Sequence, residues 1–525
     1  MSKARKAATI AMFAYCQYGL AVVTGIFLVP LILRTIGART WGLWLASSEV
    51  LAYAGMVDLG VLGVMPWILA AAIGRNDRDE QKTLVSQGLW LGVCVGIVYA
   101  AAALVAWHVL SPKMFLTTAD RALVAKPLAI LVIVNAVCFP LAVYKSLIVA
   151  TQDAFFSGVL GVAQAVLAAA LTGVLLIKGY GLHSLVWAAI APTILGSVVA
   201  VWRAATIAPD VVFTLARPRF GELRGLFVNG FGAWLGTLGW QLLAASNGIV
   251  IMYIGHPEWV PIYSCTAKVA AMFMPLTWVL PDSGHVALAQ LSGEDDAVGR
   301  VRRVVLMMQR LHLLIGGGLA CGLLVFNPSF VTRWVGAPLF GGLTLNALLA
   351  AGVVFHSFIH GLVSSASIIG NRVKVGVLVL GNGVLHTLLA VVLGHRLGLT
   401  GIAWASLIAT VVTALPGGIF LLRPNASLSA RALMNETVMP WAVRGLPLLV
   451  LAGLVGAVYQ SLGLVMSAAA TAAICVGYAW QMRPLFAAAL PLNDRWTGWL
   501  QRLRILPPPL QISGPAEPAI EKTLL

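Results

Sequence analysis

Three ionisable residues lie deep inside apolar stretches of this 525-residue chain: Glu49, Lys268 and Asp282. A charge near the centre of a membrane helix costs about 2.5–3.5 kcal/mol on insertion scales, so each needs a partner or a polar cavity. Glu49 stands about 12 Å along a helix counted from Trp41, at 1.5 Å per residue, and Lys268 stands at a similar depth after Trp259. A lysine in a cavity suits an anionic group. A buried carboxylate suits a counter-ion role or the exchange of a proton or sodium ion. Lys268 and Glu49 are therefore candidate substrate-binding residues, with Glu49 also the candidate ion-coupling residue; the alternative is a structural salt bridge between two helices. Asp282 follows Lys268 by fourteen residues and returns to nearly the same helix face about 21 Å away, which makes it a third candidate for the same wall.

Other chemistry-bearing residues carry less. Asp58 follows Glu49 by nine residues, half a turn round the helix, and so faces elsewhere unless Pro66 or a local break re-aims it. Lys145 and Arg310 lie close enough to span ends to snorkel. His356 and His360 are four apart on one helix, but no third ligand is evident, so a packing or lumen-polarity role is favoured over a metal. The acidic stretches Asn76-Asp77-Arg78-Asp79-Glu80 and Glu294-Asp295-Asp296 lie in loops that also hold Arg and Lys, and read as solvated charge-balanced loops rather than magnesium sites. The six cysteines sit in apolar stretches and suggest neither disulfides nor a metal knuckle. No Gly-Lys dipeptide occurs, so a phosphate-binding P-loop is excluded; no cofactor, catalytic residue or metal is expected.

The elements that must position these residues are membrane helices. The chain is 60% hydrophobic and 10% charged, where an average soluble domain carries roughly 25% charged residues, and its mean hydropathy is +0.92. Apolar runs of about 20 residues predict an all-α polytopic protein of about fourteen spans, at 7–33, 41–73, 84–110, 127–151, 155–177, 184–206, 223–255, 260–291, 304–327, 343–369, 374–394, 401–422, 441–462 and 463–482. The basic start runs into an apolar stretch too long for a cleavable signal peptide. Of the 34 Lys and Arg residues, 24 fall on the side of the N-terminus and 8 on the other, which predicts cytoplasmic termini. The net charge of +16 is spread over successive loops, which fits attraction to anionic lipids and not nucleic acid.

The chain also repeats itself. Ile36-Gly37 and Trp41 recur as Ile254-Gly255 and Trp259, an offset of 218, and the segment from Gly181 to Trp187-Ala188 recurs from Gly398 to Trp404-Ala405, an offset of 217. The expected organisation is a six-helix lobe at 1–210, a second at 211–425, an appended helix pair at 426–482, and an amphipathic cytoplasmic segment with a disordered tail at 483–525. Repeats with an even number of spans enter the membrane in one orientation and share an axis along its normal, as in secondary transporters with a midplane site. Prolines at 30, 66, 140, 192, 275, 281 and 416 fall inside spans, and Pro275 with Pro281 marks the eighth as the one to bend between states.

Leu28-Val29-Pro30-Leu31-Ile32-Leu33-Arg34-Thr35-Ile36-Gly37, then Trp41-Gly42-Leu43-Trp44 and Asp58-Leu59-Gly60, resemble the start of the polysaccharide-transport branch of the multidrug/oligosaccharidyl-lipid/polysaccharide exporter superfamily, which includes the O-antigen flippases. The resemblance implies a bacterial inner-membrane flippase, not an enzyme, moving an undecaprenyl-pyrophosphate-linked oligosaccharide outward, with possible proton or sodium coupling and a polysaccharide polymerase as partner. Two alternatives stay open: a cation-coupled small-molecule (multidrug) exporter, which usually lacks the appended pair, and a non-transport component or enzyme of envelope polysaccharide assembly.

Overall fold

A computed structural model describes residues 3–489 apart from 59–60, 116, 152, 213, 215–219, 283, 293–297 and 460–462. The amphipathic tail and Glu294-Asp295-Asp296 lie outside the described residues, as does the side chain of Asp58. The protein is an all-α polytopic membrane protein. Its helices are α1 (Lys3–Ala54), α2 (Val61–Gly74), α3 (Arg78–Met114), α4 (Thr118–Cys138), α5 (Ala142–Ala150), α6 (Ala154–Ile177), α7 (His183–Ile207), α8 (Pro209–Val212), α9 (Phe220–Ala245) and α10 (Asn247–Tyr253). There follow α11 (Trp259–Phe273), α12 (Leu276–Asp282), α13 (His285–Leu291), α14 (Val298–Trp334), α15 (Gly342–Ile369), α16 (Arg372–Leu397), α17 (Leu399–Ala409), α18 (Leu415–Ala426), α19 (Ala430–Leu433), α20 (Met439–Tyr459) and α21 (Leu464–Ala489).

Among the described residues, 11 helices are long and apolar enough to cross a membrane, or up to 12 when the bent pair of α9 and α10 is taken as one span. The difference from fourteen has a local cause. The first two expected spans run together as α1 across a kink at Gly37, and the second then breaks at the 3₁₀ turn Gly55–Asp58 before α2. The eighth is split into α11, α12 and α13. Breaks fall at Pro140, at Pro275 and just after Pro281, whereas Pro30, Pro66 and Pro192 are carried inside continuous helices. The second span thus breaks at Gly55 and not at Pro66.

Glycines at the repeated sequence positions share a backbone conformation. Gly37 has φ +81° and its counterpart Gly255 +90°; Gly181 has +56° and Gly398 +62°. Nothing lies within 4 Å of a Cβ placed on Gly37 or Gly255, so glycine is needed there for its backbone conformation and not for space. The break at Gly55 falls opposite the end of α11 at Phe273 at the same offset, and each repeat contains a 37-residue helix, α3 and α14.

The chain divides into two compact units, Met1–Pro261 and Ile262–Leu525. In the first, Met65, Leu69, Val85, Val95, Val143 and Leu147 form a core shared by α2, α3 and α5. Gly88, Gly92 and Gly96 recur every four residues on α3 and bring it against Val143, the backbone at Pro140 and the Ala136 carbonyl, the small-residue packing of membrane helices. Asp153 caps α6 through the Phe156 N–H at 3.4 Å and takes Arg203 Nε at 2.9 Å. In the second, α14 packs on α15, α20 and α21. Trp441 Nε1 donates to Tyr478 Oη at 2.9 Å and joins α20 to α21, while Tyr478 Oη to the Leu313 carbonyl at 3.4 Å and Ser467 Oγ to Ser329 Oγ at 2.7 Å tie α21 to α14. The outer apolar residues are left bare, Phe27 at 72% and Val465 at 81% exposure, as lipid-facing side chains are.

Candidate functional site

Glu49 belongs to the first unit, on the second half of α1. The helix leading into α10 is broken at Ser246 with a bend of 55° between α9 and α10, which leaves N–H groups of α10 without carbonyl partners. Glu49 supplies one partner: its Oε2 accepts from the Ile249 N–H at 3.0 Å. A Cβ at Gly248 would lie 2.7 Å from the same oxygen, so the glycine permits the approach. One turn on, the Tyr53 hydroxyl donates to the Gln241 carbonyl at 2.8 Å, and Trp234 Nε1 donates to the Met56 carbonyl at 2.6 Å. Glu49, Tyr53 and Met56 are thus one stripe that holds α1 to the broken helix.

Lys268 and Asp282 belong to the second unit. Lys268 is half-buried on α11, and that helix is fixed two residues earlier. Asn327 Nδ2 donates to the Thr266 carbonyl at 2.9 Å and to Asn346 Oδ1 at 2.8 Å, while the Gly341 N–H donates to Thr266 Oγ1 at 2.8 Å. This buried polar network joins α11 to α14 and α15. Beside it lies an apolar cavity of about 390 Å³, lined by Val269 and Phe273 of α11, Gly322 and Phe326 of α14, and Ala472 and Cys475 of α21. A second cavity, of about 470 Å³, lies in the first unit among Leu51, Ala103, Trp107, Met114 and Leu128.

Asp282 ends α12, and the basic side chains within 4 Å of its carboxylate are those of three histidines. His360 Nε2 lies 3.0 Å from Oδ2, and His285 Nε2 and His312 Nε2 lie 3.4 and 3.8 Å from Oδ1. Trp278 stacks on the His360 ring, with centroids 4.3 Å apart and planes within 12°. His285 Nε2 is also 3.2 Å from Ser364 Oγ. His356 and His360, four residues apart on α15, take different partners: His356 meets Ser406 Oγ at 2.9 Å while His360 meets Asp282. His285 was within reach of sequence reasoning, three residues after Asp282. His312 was not, since a lone histidine on an apolar helix carries no signal. Arg310 Nε donates to the Glu436 carbonyl at 3.0 Å and Arg302 pairs with the Glu436 carboxylate, so Arg310 holds the start of the appended pair.

No protein-family model and no curated protein matches this sequence. Solved structures do. An inward-facing multidrug resistance MATE family transporter of the MOP superfamily aligns at 16% identity over 78% of this chain and 94% of its own, with a TM-score of 0.61. The lipid II flippase MurJ, in an inward closed conformation, aligns at 11% identity over 90% of this chain and 97% of its own, with a TM-score of 0.62. A MOP superfamily transporter from Pyrococcus furiosus Vc1 aligns at 15% identity over 81% and 96%, with a TM-score of 0.57. Across these alignments, the chain has the fold of MOP superfamily transporters.

Proposed function

We propose that the protein is a secondary transporter that flips an undecaprenyl-pyrophosphate-linked oligosaccharide across the bacterial inner membrane for surface polysaccharide assembly. The observation that carries this reading is the apolar cavity walled by α21, on the helix that bears Lys268. A lipid-linked glycan needs an apolar lodging for its tail and a cation for its diphosphate. Val269 and Phe273 offer the first, and Lys268, on the same helix but about 100° round from Val269 and outside the cavity wall, offers the second. The appended pair supports the same cargo, since it contributes the wall that a twelve-helix exporter would not have. Glu49 is assigned the coupling role: a proton or sodium ion on its carboxylate would weaken the hold on Ile249 and free the broken helix. Asp282 is assigned to the same cargo path, and the lobes are taken as the repeats at 1–210 and 211–425. Both termini are placed in the cytoplasm, with a polysaccharide polymerase as the acceptor of the product.

Filling the cavity tests the tail site. A Cβ at Gly322 would meet only Cys475 Sγ at 3.6 Å and Thr471 Cγ2 at 3.7 Å, ordinary contacts, so Gly322→Phe extends into the space without striking backbone. Displacing about two methylenes of tail at ~0.8 kcal/mol each is expected to weaken binding of undecaprenyl pyrophosphate to the purified protein roughly tenfold. Binding of a short-chain pyrophosphate should be unchanged. Equal binding of the long-chain lipid by variant and parent would contradict the assignment, and loss of cationic-dye export alone would favour a small-molecule exporter.

A further inference from the structure

We propose that Asp282, His312 and His360 form a binding site for a divalent transition-metal ion of the zinc class. The His312 side chain is wholly buried on α14. Its Nδ1 lies 2.8 Å from the Met308 carbonyl, and a carbonyl only accepts, so the ring proton sits on Nδ1. Nε2 is then a bare lone pair. It is buried without a hydrogen-bond partner and faces Asp282 Oδ1, also buried without one, at 3.8 Å. Two buried acceptors facing one another are stabilised by a positive charge between them, a shared proton or a metal ion, and the donor set decides for the metal.

The donor set selects the cation. His360 Nε2 stands 3.0 Å from Asp282 Oδ2, and one donor atom from each of Asp282, His312 and His360 lies within 4.8 Å of the others. A tetrahedral zinc site with bonds of ~2.0–2.2 Å spaces its ligand atoms ~3.3–3.6 Å apart, so small side-chain rotations close the site. Two imidazoles and one carboxylate suit zinc and its neighbours, whereas sodium, magnesium and calcium prefer oxygen sets. The surroundings hold the ligands as metal sites require: Met308 fixes the His312 tautomer and Trp278 clamps the His360 ring. His285, which also faces Asp282, is held by Ser364 at the rim and completes the roster of titratable groups around the carboxylate. Three protein ligands leave the fourth position to water or an anionic oxygen. The ion would tie α12, a fragment of the broken eighth span, to α14 and α15.

The test uses the purified full-length protein, stripped with chelator and titrated with zinc chloride alone. One zinc ion per chain is expected, with a rise in thermal stability that chelator reverses. Asp282→Asn keeps the shape of the carboxylate and should lose both the ion and the stabilisation, as should His312→Ala. His356→Ala, on the same helix as His360 but bonded to Ser406, should keep both. Zinc content unchanged in Asp282→Asn and His312→Ala, or equal stabilisation by sodium or magnesium, would overturn the proposal.

Discussion

Lys268→Ala is expected to lower flipping of a pyrophosphate-linked lipid by roughly 10- to 150-fold, the loss of one charge-assisted contact of ~1.5–3 kcal/mol. The same substitution should leave the protein as abundant as before. Embedding a lysine at a helix centre costs about 2.5–3.5 kcal/mol, so its removal relieves a cost rather than creating a cavity fault. Asn327, Thr266 and Asn346 still fix the helix. Lys268→Arg should retain most activity, because the charge remains and the guanidinium binds phosphate oxygens well. Normal flipping by the alanine variant, measured per inserted molecule in reconstituted vesicles, would remove Lys268 from the substrate path.

Gly456→Leu carries the other large effect. A Cβ there would run into the backbone of α14 at Leu324 and Val325, the former at its carbonyl, and backbone cannot move aside as a flexible side chain can. Overpacking costs typically ~1–3 kcal/mol, and more where the obstacle is main chain. The variant should therefore lose folded, monodisperse protein on heating well before the parent. Gly453→Leu, three residues away with nothing within 4 Å, should behave as the parent does. Equal heat sensitivity of the two variants would mean that the seat of α20 on α14 contributes little.

Much of the fold was legible because membrane helices announce themselves by length and apolarity, and because the repeat recurred at Gly37 and Gly255, positions whose left-handed backbone only glycine takes readily. Breaks were less legible. Pro275 and Pro281 marked the divided eighth span, but the equivalent break at Gly55–Asp58 has no proline and the helix carries Pro66 without interruption. The site was legible as a set of costly charges and not as a set of partners. The Glu49 carboxylate holds a main-chain N–H of a broken helix, a partner no residue type betrays. Asp282 was found by its depth, but its histidines come from α13, α14 and α15, and only folding brings those together.

Flipping is measured most directly by reconstituting this protein alone in proteoliposomes with an undecaprenyl-pyrophosphate-linked oligosaccharide and following the glycan head from one leaflet to the other. Translocation is expected without ATP, quickened by an imposed proton or sodium gradient or by a voltage, with the gradient response lost in Glu49→Gln. A strict requirement for ATP, or export of small cations by vesicles that leave the lipid-linked glycan unmoved, would contradict it.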